Sequence, residues 1–229
     1  VNEHLRQCGA VLAASMLAAG AAQAANLALK CGETGRAGVE AQRIKAMAVD
    51  VVKRQSTHVL QVAAAGKTLR FADKPPYDEP LDGERYEFCE RREGFILLAH
   101  ADGDEFTGKL VNEATGKVTV SGDAVLFSAD RRAYFATSQE NGRDASTWAI
   151  YALDGRQSWR GGDYLPHPTK PDYKAAQLSQ QRWEASGEFS AQAQCLAGKN
   201  PPWRVKLVKT GGAWNWHPQR SCPDTETGS

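Results

Sequence analysis

The sequence predicts an all-β protein built of repeated antiparallel hairpins, with one helix near its start. Three observations predict it. Beyond residue 55 the apolar residues come in short runs, many of them alternating with polar ones, which is the period of a half-buried strand. Glycine-bearing turns separate the runs, among them Ala65-Gly66-Lys67, Asp102-Gly103-Asp104, Thr115-Gly116-Lys117, Ser121-Gly122-Asp123, Asn141-Gly142-Arg143, Asp154-Gly155-Arg156 and Thr210-Gly211-Gly212. Glycine supplies the positive φ that tight turns need, and Asn and Asp tolerate it. Finally, one hairpin pattern recurs four times, starting at residues 60, 95, 148 and 203.

The chain has 229 residues, and its first 24 differ in kind from the rest. They carry no aromatic residue and only two charges, Glu3 and Arg6. An Ala- and Leu-rich stretch from Cys8 to Ala22 leads into Ala22-Gln23-Ala24, the small-x-small exit that a signal peptidase reads. Residues 1–24 therefore read as a bacterial secretory signal, leaving 25–229 as a single β-rich domain. A buried Ala-rich helix is the other reading.

Residues 39–54 fit an amphipathic helix, with Ile44, Met47, Ala48, Val51 and Val52 on one face. The β-branched run through Val49, Val51 and Val52 fits a strand equally well. The following strands are expected at His58–Ala64, Thr68–Ala72, Tyr86–Glu90, Phe95–Ala101, Glu105–Asn112, Val118–Ser121, Val125–Phe127, Ala133–Ser138, Thr147–Leu153, Gln157–Arg160, Gln181–Ala185, Glu188–Cys195, Trp203–Val208 and Ala213–Trp216. Lys74–Pro80 and Leu165–Pro171 hold three prolines each. Proline cannot donate to a ladder, so both read as surface crossings between hairpin groups.

In each copy of the hairpin pattern a large apolar residue is followed eleven positions later by an aromatic: Leu60 and Phe71, Phe95 and Phe106, Trp148 and Trp159, Trp203 and Trp214. The expectation is that the two residues meet as a cross-strand pair. The copies are 35, 53 and 55 residues apart, which brackets the ~40–50 residues of a propeller blade.

Phe127-Ser128-Ala129-Asp130-Arg131, followed by Arg132-Ala133-Tyr134-Phe135-Ala136, resembles the FSPDG turn and strand of TolB-like and WD40-like propeller blades. Ser128 and Asp130 match, while Ala129 and Arg131 stand where those blades carry Pro and Gly. The whole chain also resembles small secreted Gram-negative proteins of unknown function with such repeats. The resemblance implies a small or incomplete β-propeller-like stack and carries no activity.

A net charge of +1 excludes an electrostatically driven nucleic-acid binder. Mean hydropathy of -0.50, with no long apolar run after residue 25, predicts no membrane span. Four cysteines follow the leader, an even number that fits two disulfides in an oxidising compartment, periplasmic or extracellular. Of the three connectivities, Cys31–Cys89 with Cys195–Cys222 is favoured, since each pairs sequence neighbours and ties a chain end to the body. No spacing suits a zinc site.

No GxSxG, HExxH, P-loop or GxGxxG is present, so no catalytic residue, metal or cofactor is predicted. The densest polar cluster, His100-Ala101-Asp102-Gly103-Asp104-Glu105, has calcium-type oxygens without the spacing of a known loop and reads as a hairpin turn. Arg91-Arg92 and Arg131-Arg132 read as solvated loop ends. All six Trp follow residue 147. Core filling is one reading of them, and stacking on a sugar or a partner protein is the other. Under the second, Trp183 and Trp216, with Asn215 beside it, are the candidates for exposure and binding. These features predict a non-enzymatic exported protein that engages an envelope protein or a glycan. The alternative is a polysaccharide-acting hydrolase on a propeller-like scaffold.

Overall fold

A computed structural model describes residues 26–78, 82–139, 146–167 and 170–223. The predicted leader, with Cys8, lies outside the described residues. Strand β1 (Ala28–Lys30) comes first, followed by helix α1 (Ala37–Met47). The first sheet is β2 (Val52–Ser56), β3 (Val59–Ala64) and β4 (Lys67–Ala72). The second is β5 (Glu84–Arg92), β6 (Phe95–Asp102), β7 (Glu105–Asn112) and β8 (Lys117–Ser121). The third is β9 (Ala124–Phe127), β10 (Ala133–Ser138), β11 (Thr147–Ala152) and β12 (Gln157–Gly162), with β1 added beside β9. The fourth is β13 (Tyr164–His167), β14 (Lys170–Trp183), β15 (Phe189–Cys195), β16 (Trp203–Thr210) and β17 (Ala213–His217). Each sheet is an antiparallel meander in chain order, β1 apart. The protein is all-β with a single helix among its described residues, as its sequence predicts.

Three cores hold the four sheets in a row. The first is shared by α1 and the first two sheets and holds Leu60, Val62, Phe88, Ile96 and Leu98. The next lies between the second and third sheets, around Leu97, Leu110, Phe127, Tyr134 and Tyr151. A third joins the third sheet to the fourth through Phe135, Trp148, Phe189, Val205 and Trp216. Adjacent residues of one strand serve different cores, because successive side chains point to opposite faces: in β6, Phe95 and Leu97 face one way, Ile96 and Leu98 the other. None of the three clusters joins the first sheet to the fourth.

Two disulfides secure the row, Cys31–Cys89 and Cys195–Cys222, the favoured pairing. Cys89 falls where the β5–β6 register shifts between Phe88 and Glu90. Phe88 serves the first core, and Cys89, the extra residue of this bulge, serves the second. The FSADR segment forms a tight turn. Ser128 Oγ donates to Asp130 Oδ1 at 2.7 Å, Arg132 N–H donates to the same oxygen at 3.1 Å, and Arg131 takes the left-handed φ of 58° at the position where the blades it resembles carry glycine.

The structure corrects several expectations. The helix stops at Met47, where the predicted helix would run on to residue 54. Val51 and Val52 N–H both turn back to the Ala48 carbonyl, and Val52 opens β2. The periodicity found the right buried face, but the β-branched run leaves the helix to reach it as strand. The four hairpins all form, yet the eleven-residue pair meets only once, as Leu60 opposite Phe71. Phe95 faces Asn112, and Trp148 faces Gly161, because the position of each turn, not the strand's start, sets its register. The described residues of the Leu165–Pro171 stretch are paired strand where a crossing was expected, Leu165–His167 in β13 and Lys170 and Pro171 in β14. Pro166 is accommodated because β13 is the edge of its sheet. The strand expected at Gln181–Ala185 ends at Trp183 and belongs to the longer β14. Arg91 is no solvated loop end, since it lies in β5 clamped by Glu113 (2.9 Å to each oxygen) and Asp50 (2.7 Å).

Candidate functional site

Successive rows of the second sheet build a polar patch. Tyr86 on β5, His100 on β6 and Thr107 on β7 are register partners in one row across the ladders. Glu84, two residues before Tyr86, shares its face. The His100 ring stacks on Tyr86 with centroids 4.6 Å apart. Its Nε2 lies 3.0 Å from Glu84 Oε1 and its Nδ1 3.0 Å from Thr107 Oγ1. Burial pushes the His100 imidazole below its ordinary 6.5, against the pull of Glu84. A neutral ring fits both contacts: Nε2–H donates to the carboxylate and Nδ1 accepts from the threonine hydroxyl.

Glu84 also accepts from Lys74 and from the Tyr86 hydroxyl. Lys74, then Tyr86, hold its carboxyl down at about 2, and burial with the Glu84 contact drives the Tyr86 phenol upward. The crossing segment 73–77 is fixed against β5 by paired backbone bonds between Lys74 and Glu84. Gly83 makes this approach possible: its φ is 71°, and a Cβ there would stand 2.4 Å from the carbonyl oxygens of Lys74 and Pro76. The segment thereby presents Tyr77, stacked on His58 at 3.8 Å and 40% exposed.

On the opposite side α1 contributes Glu40. Its buried carboxylate accepts from Arg54 Nε at 2.8 Å, Arg54 Nη2 at 3.1 Å and the Phe88 N–H at 2.7 Å. Glu40 thus joins α1 to β2 and β5. Glu40→Ala leaves the Arg54 guanidinium and a buried N–H without their acceptor, and is expected to cost about 2–3 kcal/mol in a denaturant titration. A cost below about 0.5 kcal/mol would show the pair to be dispensable. Nearby, Glu87 accepts from Arg43 and from the Gly35 N–H, the latter at 2.6 Å; burial pushes its carboxyl up.

These elements enclose a cleft of about 1010 Å³, lined by α1, β2, the 73–77 segment and the facing ends of β5, β6 and β7. A second cleft of about 250 Å³ lies between the third and fourth sheets, and Asp123 and Gln139 line both. The carboxylates lining the larger cleft are all engaged: Glu40 and Glu87 as described, Asp73 by the Tyr86 N–H at 2.9 Å, and Asp123 by the Thr137 hydroxyl at 2.7 Å.

The Glu84–His100 pair makes stability acid-sensitive. Both groups bind protons more readily in the unfolded chain, so the stability they add is present at neutral pH and falls with pH. His100 begins to lose it below 6.5 and Glu84 below 4.5, continuing toward 2. Denaturation midpoints should fall from pH 7 to 5 and again from 5 to 3. His100→Gln should flatten the first step; a first step of full size in that variant contradicts the assignment.

The residues singled out in the sequence lie elsewhere. Trp183 and Trp216 are buried at 9% and 8% exposure in the third core, which corrects the expectation that they are exposed. Each packs its ring edge-on against another, Trp183 on Phe189 and Trp216 on Trp159, and Trp183 Nε1–H donates to the Leu126 carbonyl. Asn215 is exposed on β17 and touches neither cleft. In the His100–Glu105 cluster, Asp102 pairs with Glu105 across a tight turn, and only His100 and Ala101 reach the larger cleft. Among the described residues no group of three or more His, Cys, Asp or Glu could hold a metal, and no helix is long and apolar enough to cross a membrane. Sequence reasoning missed Glu84, Tyr86, Tyr77 and His58; the one local signal was Glu84 and Tyr86 alternating on a strand whose neighbour carries His100. No protein-family model, curated protein or solved structure matches the chain.

Proposed function

We propose that this chain is an exported binding protein, periplasmic or secreted, that takes an envelope glycan in the larger cleft without chemically altering it. One observation carries the reading: two stacked ring pairs, Tyr77 on His58 and Tyr86 on His100, line a 1010 Å³ cleft whose carboxylates are already engaged. Concave sites with aromatic walls and a few polar groups suit small ligands and chain segments better than a flat protein face. A glycan is therefore favoured over an envelope protein. The two disulfides fit an oxidising compartment, and residues 1–24 supply the export signal. The resemblance of the FSADR turn to propeller blades supports a scaffold whose loop ends hold ligands, and carries no activity of its own.

The hydrolase reading is weaker. Glycoside hydrolysis needs a carboxylic acid ready to protonate a leaving group. Glu84 stays ionised down to about 2. Glu87 is raised, but both its oxygens are occupied by Arg43 and Gly35. The test is retention of the full chain on immobilised alginate, polygalacturonate, dextran and peptidoglycan, with released reducing ends assayed in parallel. Retention on at least one polymer, lowered about tenfold by Tyr77→Ala with no reducing ends released, is the expected result. Retention on none, or release of reducing ends, overturns the proposal.

A further inference from the structure

Two carboxylates of the larger cleft keep their charge. Asp73 and Asp123 are bonded by neutral donors, the Tyr86 N–H at 2.9 Å and the Thr137 hydroxyl at 2.7 Å. Such donors stabilise a carboxylate without cancelling its charge. Glu40 and Glu87 differ, since each faces an arginine. Asp73 is the more consequential of the two. Its side chain is only 8% exposed, and its Oδ2 lies 3.5 Å from His58 Nδ1, too far for a good hydrogen bond. A charge withdrawn from water attracts a cation more strongly than one on the surface does.

Aromatic rings stand beside this carboxylate. Tyr77, stacked on His58, donates its hydroxyl to the Asp73 carbonyl at 3.4 Å. Tyr86, whose N–H holds Asp73, stacks on His100. Beyond burial and the Glu84 hydrogen bond, the charges of Glu84, Asp102 and Asp73 each push the Tyr86 phenol upward, so these rings sit in a field of carboxylates. A tyrosine face also attracts cations, and Tyr77 is partly open to solvent. The cleft's own cations leave this end unanswered. Arg85 is held on the Tyr77 carbonyl at 2.9 Å, and Arg36 pairs with Glu33. Lys45 stands on α1, and Lys53 lies about 10 Å along β2 from Ser56, where the chain turns toward His58. Both lysines are exposed, so water and salt screen them over that distance.

We infer that the ring end of the larger cleft takes a protonated amine, and that its glycan is built of unacetylated amino sugars of the glucosamine type. The ammonium meets the Asp73 carboxylate and the Tyr77 ring. An N-acetylated sugar brings no charge to Asp73 and sets an acyl group where the ammonium belongs. The inference rests on the glycan-binding reading and adds the chemical class of the sugar.

The test uses the full chain, with titration calorimetry against the glucosamine hexamer, the N-acetylglucosamine hexamer, and spermidine as an amine without a sugar. The glucosamine hexamer should bind at least about tenfold tighter than either of the others, and its affinity should fall as salt rises. Asp73→Asn should weaken that binding about tenfold. Its amide oxygen still accepts from the Tyr86 N–H, so the melting temperature should move little. Tyr77→Ala, at a partly exposed ring, should weaken binding about fivefold and gives a second reading if Asp73→Asn does not fold. Lys53→Ala should leave the affinity unchanged or raise it. Unchanged affinity in Asp73→Asn overturns the assigned site. Equal affinity for the acetylated hexamer overturns the amine and leaves the glycan reading standing. Spermidine binding as tightly as the hexamer overturns the amino sugar. If none of the three binds, the inference falls alone when a polymer of the preceding test is retained, and together with the glycan reading when none is.

Discussion

Trp148→Ala will lower the folding stability by about 3–5 kcal/mol, the range for deleting a large buried aromatic side chain. Trp148 is 1% exposed at the contact of the third and fourth sheets. Its ring meets Phe135 edge-on at 5.3 Å and Trp216 at 6.4 Å, so truncation removes two aromatic contacts as well as buried area. The surrounding side chains cannot collapse far, because the next residues of β11, Ala149 and Tyr151, are fixed in the neighbouring core. Urea denaturation followed by far-ultraviolet circular dichroism measures the loss. Trp148→Phe should recover roughly half of it, since the phenyl ring refills much of the space. A loss under about 1 kcal/mol for the alanine variant contradicts the packing assigned here.

Removal of the Cys31–Cys89 bridge has the second large effect, expected at about 4 kcal/mol from the entropy of the 58-residue loop it closes. The bridge runs from the end of β1, which belongs to the third sheet, to β5 of the second, so it crosses the boundary between two layers. Cys195–Cys222 closes 27 residues and ties the segment after β17 to β15; its loss should cost about 3.5 kcal/mol. Denaturation midpoints of the two double Cys→Ala variants, compared under identical conditions, check the order. The reverse order would show that native-state contacts, not loop length, govern the bridges' effect.

The sequence makes most strands legible because their signals are local. Glu105–Asn112 and Ala133–Ser138 form with the expected bounds, each delimited by turn residues. The missed strands carry no signal of their own and form on an edge that another strand offers. β1 has three residues, and its ladder to β9 joins positions almost a hundred apart in sequence. β2 is polar after Val52 and forms because β3 offers it an edge. The tryptophans show the opposite failure: residue type suggests a binding face, but burial is decided by which sheet packs on which, and the third sheet covers Trp183 and Trp216 on the inner face of the fourth. The cleft was the least legible feature. Its rings come from residues 58, 77, 86 and 100, and nothing in the spacing of these positions shows that a crossing segment folds back over Gly83 to bring them together.

The face-to-face sharing of β6, β10 and β11 between neighbouring cores also determines how the molecule comes apart. A strand with both faces packed cannot open without breaking into two layers, whereas the terminal sheets each share in one core alone. Coupling therefore passes from layer to neighbouring layer, as in a linear array of repeats, and local opening has a gradient along the row. Backbone amides of β6, β10 and β11 should exchange with deuterated solvent most slowly, and those of the outer strands β2 and β17 fastest.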